Sequence, residues 1–295
     1  MMMLDAHPEI YVSRESWFLI DLMDALPLHG FLRPDQVDKA FDIIRKHPRW
    51  QRWGITDTIL AECLQSLSNP DLATLVEAVF RLDLGDDDKS RWGDKTPGYV
   101  TEVERIHSLF PNAQFIHIIR DARDVCISLR KVGWHGPTVV HMARYWREQV
   151  AIGMATGRRL GNSNYLEVSY EALVTDVEST LRNICLFLAV PFDTKMLVWH
   201  KQTAEKTADS PMKFQTKLDR APRPSDVGRW RNELSRLSVV VVEAYAGDVM
   251  IQAGQARHFG RDLSFFRPLF NSYALTCSAL VRVLRLLRRP RLAAR

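Results

Sequence analysis

The 295-residue chain reads as an α/β protein in which helices flank a central parallel sheet, and three observations predict this class. Short apolar blocks rich in β-branched residues, Phe115–Ile119 foremost, have the make-up of strands buried on both faces. Stretches with helical periodicity alternate with these blocks, the order expected of a parallel sheet with crossover helices. At this length, 46% hydrophobic content can bury a large core, so one α/β domain followed by a tail is predicted.

The elements follow in order. Periodicity of 3.6 predicts helices over Glu15–Ala25, Asp35–Lys46, Asp57–Leu67 and Asp71–Leu82. Gly85-Asp86-Asp87-Asp88-Lys89 is a polar turn. Arg91-Trp92-Gly93-Asp94-Lys95-Thr96-Pro97 reads as a short strand breaking into a loop, because Pro97 disfavours helix at Thr96. A helical stretch, Tyr99–Leu109, leads into the Phe115–Ile119 strand. The chain then turns through Arg120-Asp121-Ala122-Arg123-Asp124 into an amphipathic helix carrying Ser128. Val139–Arg159 is a long helix, Tyr165–Tyr170 a strand and Ala172–Phe187 a helix. Trp50 and Trp53, with His47 nearby, either line a site or anchor the core. No internal repeat and no low-complexity linker interrupts the order.

Charge and cysteine content narrow the function classes. A net charge of +5 suits an anionic cosubstrate without requiring nucleic acid. The excess gathers at the end, where Arg282, Arg285, Arg288, Arg289, Arg291 and Arg295 stand with no acid among them. Cys63, Cys126, Cys185 and Cys277 are scattered without a C-x-x-C spacing, which argues for reduced thiols over disulfides or metal ligands. No secretory signal opens the chain and no apolar run is long enough to span a bilayer, so a cytoplasmic location is expected.

The run from Gln114 to Ser128 carries the chemistry. A strand that delivers Arg120 at its end, followed by a helix whose first turns deliver Ser128, has the parts of a phosphate clamp. Arginine presents a planar fork of donors that never loses its charge, and a helix N-terminus adds aligned backbone N–H groups. The competing reading is a solvated Arg/Asp turn making local salt bridges.

W-G-D-K-T-P (92–97) and I-I-R-D-A-R-D-V-C-I-S (118–128), separated by one helix, resemble the sulfotransferases that use 3′-phosphoadenosine 5′-phosphosulfate (PAPS). The likeness is to bacterial members related to the tyrosylprotein sulfotransferases, with a P-loop NTPase-like fold. The resemblance implies that Lys95 lies against the transferring sulfuryl group and that Arg120 and Ser128 bind the 3′-phosphate. Leu4-Asp5-Ala6-His7-Pro8, followed by Ser13-Arg14-Glu15-Ser16, resembles the family's segment leading to its general base, which makes Glu15 the matching carboxylate. Otherwise Glu15 is an exposed capping acid beside Ser13. Tyr170-Glu171-Ala172-Leu173 resembles the family's Y-E-x-L, whose Tyr contacts the nucleotide, although a strand-end Tyr can equally be core. Lys213–Arg231 resembles the basic segment that folds over the nucleotide, with Arg229 matching its last basic residue before Trp. Val132 stands where the tyrosylprotein branch has a basic residue, with Arg130 and Lys131 close by.

One part of the family pattern is not found. The family opens with a strand and a Gly/Ser/Thr-rich loop around the 5′-phosphosulfate, whereas Met1-Met2-Met3 already falls in the helix that should follow. None of the 14 glycines is followed by Lys, so no Walker-type loop replaces it. Losing a central strand of about five residues, at roughly 1.5–3 kcal/mol per buried aliphatic side chain, would cost about as much as the ~5–15 kcal/mol that holds a domain together. The expectation is therefore a start downstream of the true one, or a truncated gene.

The resemblance covers residues 3 to 235 and implies a sulfotransferase domain over 1–260 with a basic amphipathic tail over 261–295. The block between Glu15 and Lys95 would shape the acceptor pocket. The implied reaction is metal-free transfer of a sulfuryl group from PAPS to an acceptor hydroxyl on carbohydrate, peptide tyrosine or a small molecule. Two other readings stand beside it: a remnant that only binds 3′-phosphoadenosine nucleotides, and a nucleotide kinase relative, which lacks its Walker lysine. In the tail, Leu280, Val281, Val283, Leu284, Leu286 and Leu287 interleave with arginines, the pattern of a helix lying on an anionic membrane surface. That pattern would place the protein at the inner face of the membrane; a terminal helix docked on its own domain is the alternative.

Overall fold

The computed structural model describes residues 1–85, 88–133, 135–199 and 223–287, the last eight of these by backbone alone. The described chain forms two compact units. The first is built on residues 1–115, 156–166 and 177–199, the second on residues 116–155, 167–176 and 223–287.

The first unit opens with α1 (Met2–Asp5) and β1 (Ile10–Ser13). His7 and Asp5 of the L-D-A-H-P run fix this entry. His7 is fully buried, with Nδ1 accepting from the Glu9 N–H at 3.0 Å and Nε2 against the Pro191 carbonyl at 2.7 Å, and Asp5 Oδ1 accepts from the Val12 N–H at 3.1 Å. Four helices follow: α2 (Phe18–Ala25), α3 (Pro34–Lys46), α4 (Asp57–Gln65) and α5 (Leu72–Leu84). Thr56 and Asp71 cap α4 and α5 by accepting from the N–H groups of Ile59 and Thr74, which satisfies donors that a helix start leaves unpaired. The apolar faces of these helices enclose Phe18, Leu22, Trp50, Trp53 and Phe80, so the tryptophan pair is core, with Phe18 edge-on to both rings. β2 (Arg91–Asp94) then pairs with β1 in parallel, Ile10 opposite Arg91 and Ser13 opposite Asp94.

α6 (Val103–Leu109) precedes β3 (Phe115–Ile119); α7 (Ala122–Val132) and α8 (Val139–Leu160) follow. β4 (Tyr165–Ser169) pairs with β3, and α9 (Tyr170–Thr175) and α10 (Val177–Leu188) come next. The second unit closes with α11 (Trp230–Glu233), α12 (Arg236–Gln252) and α13 (Arg267–Leu287). Its core gathers Cys126, Trp146, Tyr245, Met250 and Phe270. A buried ion network ties its elements: Arg123 donates to both oxygens of Asp121 and, at 2.8 Å, to Glu243, which also accepts from the N–H groups of His258 and Phe259.

Several predicted elements shift. The helix expected from Glu15 starts at Phe18, because β1 runs to Ser13 and a tight turn at Trp17 separates the two. The stretch from Tyr99 splits into a 3-10 turn (Pro97–Thr101) and α6, and the helix expected over 172–187 breaks at Asp176, whose φ and ψ of −136° and 69° are not helical. β3 was expected to be buried on both faces, yet Ile118 is 44% exposed; β4 is its one strand neighbour among the described residues. Asp86, Asp87, the Lys213–Pro222 part of the basic segment and the tail side chains from Leu280 onward lie outside the described residues.

Candidate active site

In the first unit the parallel register does the positioning. Ser13 and Asp94 end β1 and β2 side by side, so the chain two residues beyond one and one residue beyond the other emerges at the same carboxyl edge. Glu15 and Lys95, 80 positions apart in sequence, meet there with Lys95 Nζ donating to Glu15 Oε1 at 2.5 Å. The other carboxylate oxygen, Oε2, accepts from the indole N–H of Trp17 at 3.2 Å and lies 3.4 Å from the Arg49 guanidinium. Glu15 is therefore no exposed capping acid: its side chain is 24% exposed. Burial alone would raise the Glu15 carboxyl, but the Lys95 hydrogen bond and charge, the Trp17 N–H and Arg49 outweigh it and hold the group below its ordinary value.

Beneath this pair lies a second carboxylate. Asp94 Oδ2 accepts from Ser16 Oγ at 2.5 Å and from the Tyr99 hydroxyl at 2.7 Å, and Oδ1 accepts from Thr96 Oγ1 at 3.2 Å. Thr96 Oγ1 in turn accepts the Ser16 N–H at 3.2 Å, and the Ser16 and Tyr99 hydroxyls touch each other. Burial pushes the Asp94 carboxyl up to about 6, against the pull of these hydroxyls and of Lys95. Trp17 completes the turn at φ 54° and ψ −36°, where the Phe18 N–H reaches back to the Ser16 carbonyl at 2.6 Å. A non-glycine residue held there costs on the order of 1–3 kcal/mol, and such strain gathers at functional sites. Gly98 makes room for it, since a Cβ at that position would stand 2.6 Å from the Trp17 ring.

In the second unit, Arg120 leaves β3 with its guanidinium 4.5 Å above the centre of the Tyr170 ring. Its Nη2 donates to the Asp226 carbonyl at 2.8 Å and lies 3.7 Å from Asp124, while its buried Nε has no hydrogen-bond partner among the described residues. Asp121 caps α7 by accepting from the Arg123 N–H. Ser128 Oγ rests 3.3 Å from the Asp124 carbonyl one turn back. Asp124, fully buried, accepts from the N–H groups of Gly228 and Trp230 at 2.8 and 2.9 Å and so fastens the described end of the basic segment to α7. Arg229 on that segment pairs with Glu233, one turn along its own helix.

The structure thus joins Glu15 to Lys95 in one unit and Arg120 to Tyr170 in the other, with Ser128 and Arg229 engaged locally. Sequence reasoning missed Arg49, Ser16, Asp94, Tyr99 and Asp124. Ser16, Asp94 and Asp124 stand inside the quoted motifs, adjacent to assigned residues, and that adjacency was the signal. Arg49 had none, because only the packing of Trp50 carries it to Glu15.

Comparison with known proteins places the chain among sulfotransferases. The chain is 28% identical over 210 residues to protein-tyrosine sulfotransferase A of Caenorhabditis elegans, a match covering 69% of this chain and 49% of that protein. It is 26% identical over 228 residues to the Drosophila melanogaster protein-tyrosine sulfotransferase, covering 75% and 41%. The chain thus spans about half the length of these curated relatives. Among solved structures, the sulfotransferase domain of a Synechococcus olefin synthase superposes with a TM-score of 0.58 at 21% identity, covering 83% of this chain and 88% of that one. The sulfotransferase domain from the curacin biosynthetic pathway gives the same score at 15% identity, covering 86% and 92%; both likenesses are in fold. The model of the sulfotransferase family matches residues 1–194, and the chain belongs to that family.

Proposed function

We propose that the protein transfers a sulfuryl group from PAPS to an acceptor hydroxyl, and the observation that carries this reading is the Glu15–Lys95 pair at the carboxyl edge of β1 and β2. PAPS, when bound, supplies the sulfuryl group and a phosphate leaving group. Arg120 fits a phosphate: its guanidinium presents a planar fork of donors, and its buried Nε–H has no acceptor among the described residues. Ser128 would add a hydroxyl donor, Tyr170 a ring face and Arg229 a second charge, once drawn from Glu233. Glu15 would take the proton of the acceptor hydroxyl as its oxygen bonds to sulfur and the sulfur–oxygen bond to phosphate breaks. Its depressed pKa keeps the carboxylate ionised at neutral pH. Lys95 would turn from Glu15 to the developing charge on the leaving oxygen, while Arg49 and Trp17 keep hold of Oε2. The acceptor is a hydroxyl-bearing molecule, and the curated relatives make peptide tyrosine the first to test.

Incubation with sulfur-labelled PAPS and a panel of tyrosine peptides, carbohydrates and small phenols should yield a labelled sulfate ester. Transfer to none of them, with adenosine 3′,5′-bisphosphate still bound, would replace this reading by that of a nucleotide-binding remnant.

A second reading concerns location. No described helix is long and apolar enough to cross a membrane. Phe265, in the 3-10 turn before α13, and Leu269 and Tyr273, in its first turns, nevertheless stand exposed at four-residue spacing, ahead of the arginine-rich end of the sequence. An anionic cytoplasmic membrane face complements both features. Co-sedimentation with anionic liposomes should fall with salt and vanish on deleting residues 265–295; equal pelleting of the shortened chain would rule it out.

A further inference from the structure

The Asp94 cluster sits under the proposed catalytic pair without belonging to it. Ser16, whose hydroxyl it holds, directly follows Glu15 in the chain; Asp94 and Thr96 directly flank Lys95. Ser16 is fully buried and Thr96 nearly so, and the carboxylate gathers three hydroxyls contributed by both strand exits and the 3-10 turn. A cross-link serving stability alone would be better made from apolar side chains, since a buried carboxylate resists ionisation where it sits. An acid placed here, next to Lys95 in the chain and hydrogen-bonded to the residue after Glu15, has a different use.

We propose that Asp94 is the positioning residue of this site: through the Ser16, Thr96 and Tyr99 hydroxyls it locks the two strand exits so that the Glu15 carboxylate stays within reach of Lys95. The proposal deepens the sulfuryl-transfer reading and rests on it for the roles of Glu15 and Lys95, but the geometry it explains is independent of turnover. The charged groups facing Glu15 are Lys95 from the β2 exit and Arg49 from the turn before Trp50; Asp94 acts on Lys95 and on the Ser16 hydroxyl rather than on Glu15 itself. Arg14, its neighbour in the chain, is turned away to the carbonyls of Arg52 and Trp53.

The test reads the ionisation of Glu15 by NMR of carboxyl-labelled glutamate in the full chain, with Glu15→Gln supplying the assignment. Asp94→Asn should let the pair drift apart, and the Glu15 pKa should then rise toward that of an ordinary glutamate. The direction discriminates: Glu15 titrates below its ordinary value, where Asp94, pushed up to about 6, is already protonated, so the substitution removes no negative charge over that range and a rise reports the lost geometry. Ser16→Ala breaks the same link with no change in charge and should raise it too. A Glu15 pKa that stays put or falls in either folded variant overturns the proposal. Loss of fold in both overturns it as well, since the carboxylate would then be holding the fold rather than the pair. Absence of sulfuryl transfer in the native protein would retire the functional reading and leave this measurement standing.

Discussion

Asp94→Asn should also change how stability depends on pH, and the magnitude follows from the environment of the carboxylate. The ordinary value is 3.8 and burial takes it to about 6 in the folded protein. Since the folded pKa lies above the unfolded one, the folded state binds more protons across that window, and stability falls as pH rises from about 4 through about 6. At 1.36 kcal/mol per pH unit, the gap amounts to roughly 3 kcal/mol lost between acid and neutral conditions. Asparagine at 94 has no such term. At pH 4 the variant should be no more stable than the native protein, because its amide can accept through one oxygen only and turns donors toward Ser16 and Tyr99. At pH 8 the balance should have moved in favour of the variant by about 3 kcal/mol. Urea unfolding of both proteins at half-unit steps from pH 4 to 8 measures the difference directly, and carboxylates common to both cancel. Parallel stability curves would refute the reasoning, since they would mean that Asp94 ionises as easily folded as unfolded.

Glu15→Gln and Lys95→Ala should each cut turnover by about a hundredfold or more, the usual scale of a positioned base and of a positioned charge, with nucleotide affinity kept. A near-native rate in Glu15→Gln would move the base elsewhere, with His29 and His47 next in line. Arg120→Ala should abolish binding of adenosine 3′,5′-bisphosphate in calorimetry, and unchanged affinity would end the clamp assignment. Glu243→Ala should cost about 3–5 kcal/mol in denaturant unfolding, because it deprives buried Arg123 and two backbone N–H groups of their acceptor. Glu243→Gln should cost less, since an amide oxygen still accepts.

The parts legible in the sequence were those whose signal is local. β3 and β4 announced themselves by short β-branched or aromatic runs, β2 by the proline that bars helix just after it, and α3, α5 and α8 by one-sided apolar periodicity within a residue or two of their observed ends. β1 did not, because Ile10–Ser13 is four residues wedged between His7-Pro8 and Arg14-Glu15, too short to show alternation. α12 stayed unread for the opposite reason. Its residues from Val239 to Met250 are buried at every position but Val240 and Asp248, Glu243 and Gly247 included, and a helix buried nearly all round carries no stripe to detect. Glu15 and Lys95 were found by resemblance, but their meeting depends on the Ser13–Asp94 register, which neither motif contains. The same holds for what lies beneath them. Serine, threonine and tyrosine are common near turns for many reasons, and no single one of Ser16, Thr96 and Tyr99 is informative alone. Their meaning comes from sharing one buried carboxylate, and that is a property of the parallel pairing, which a reading along the chain cannot see.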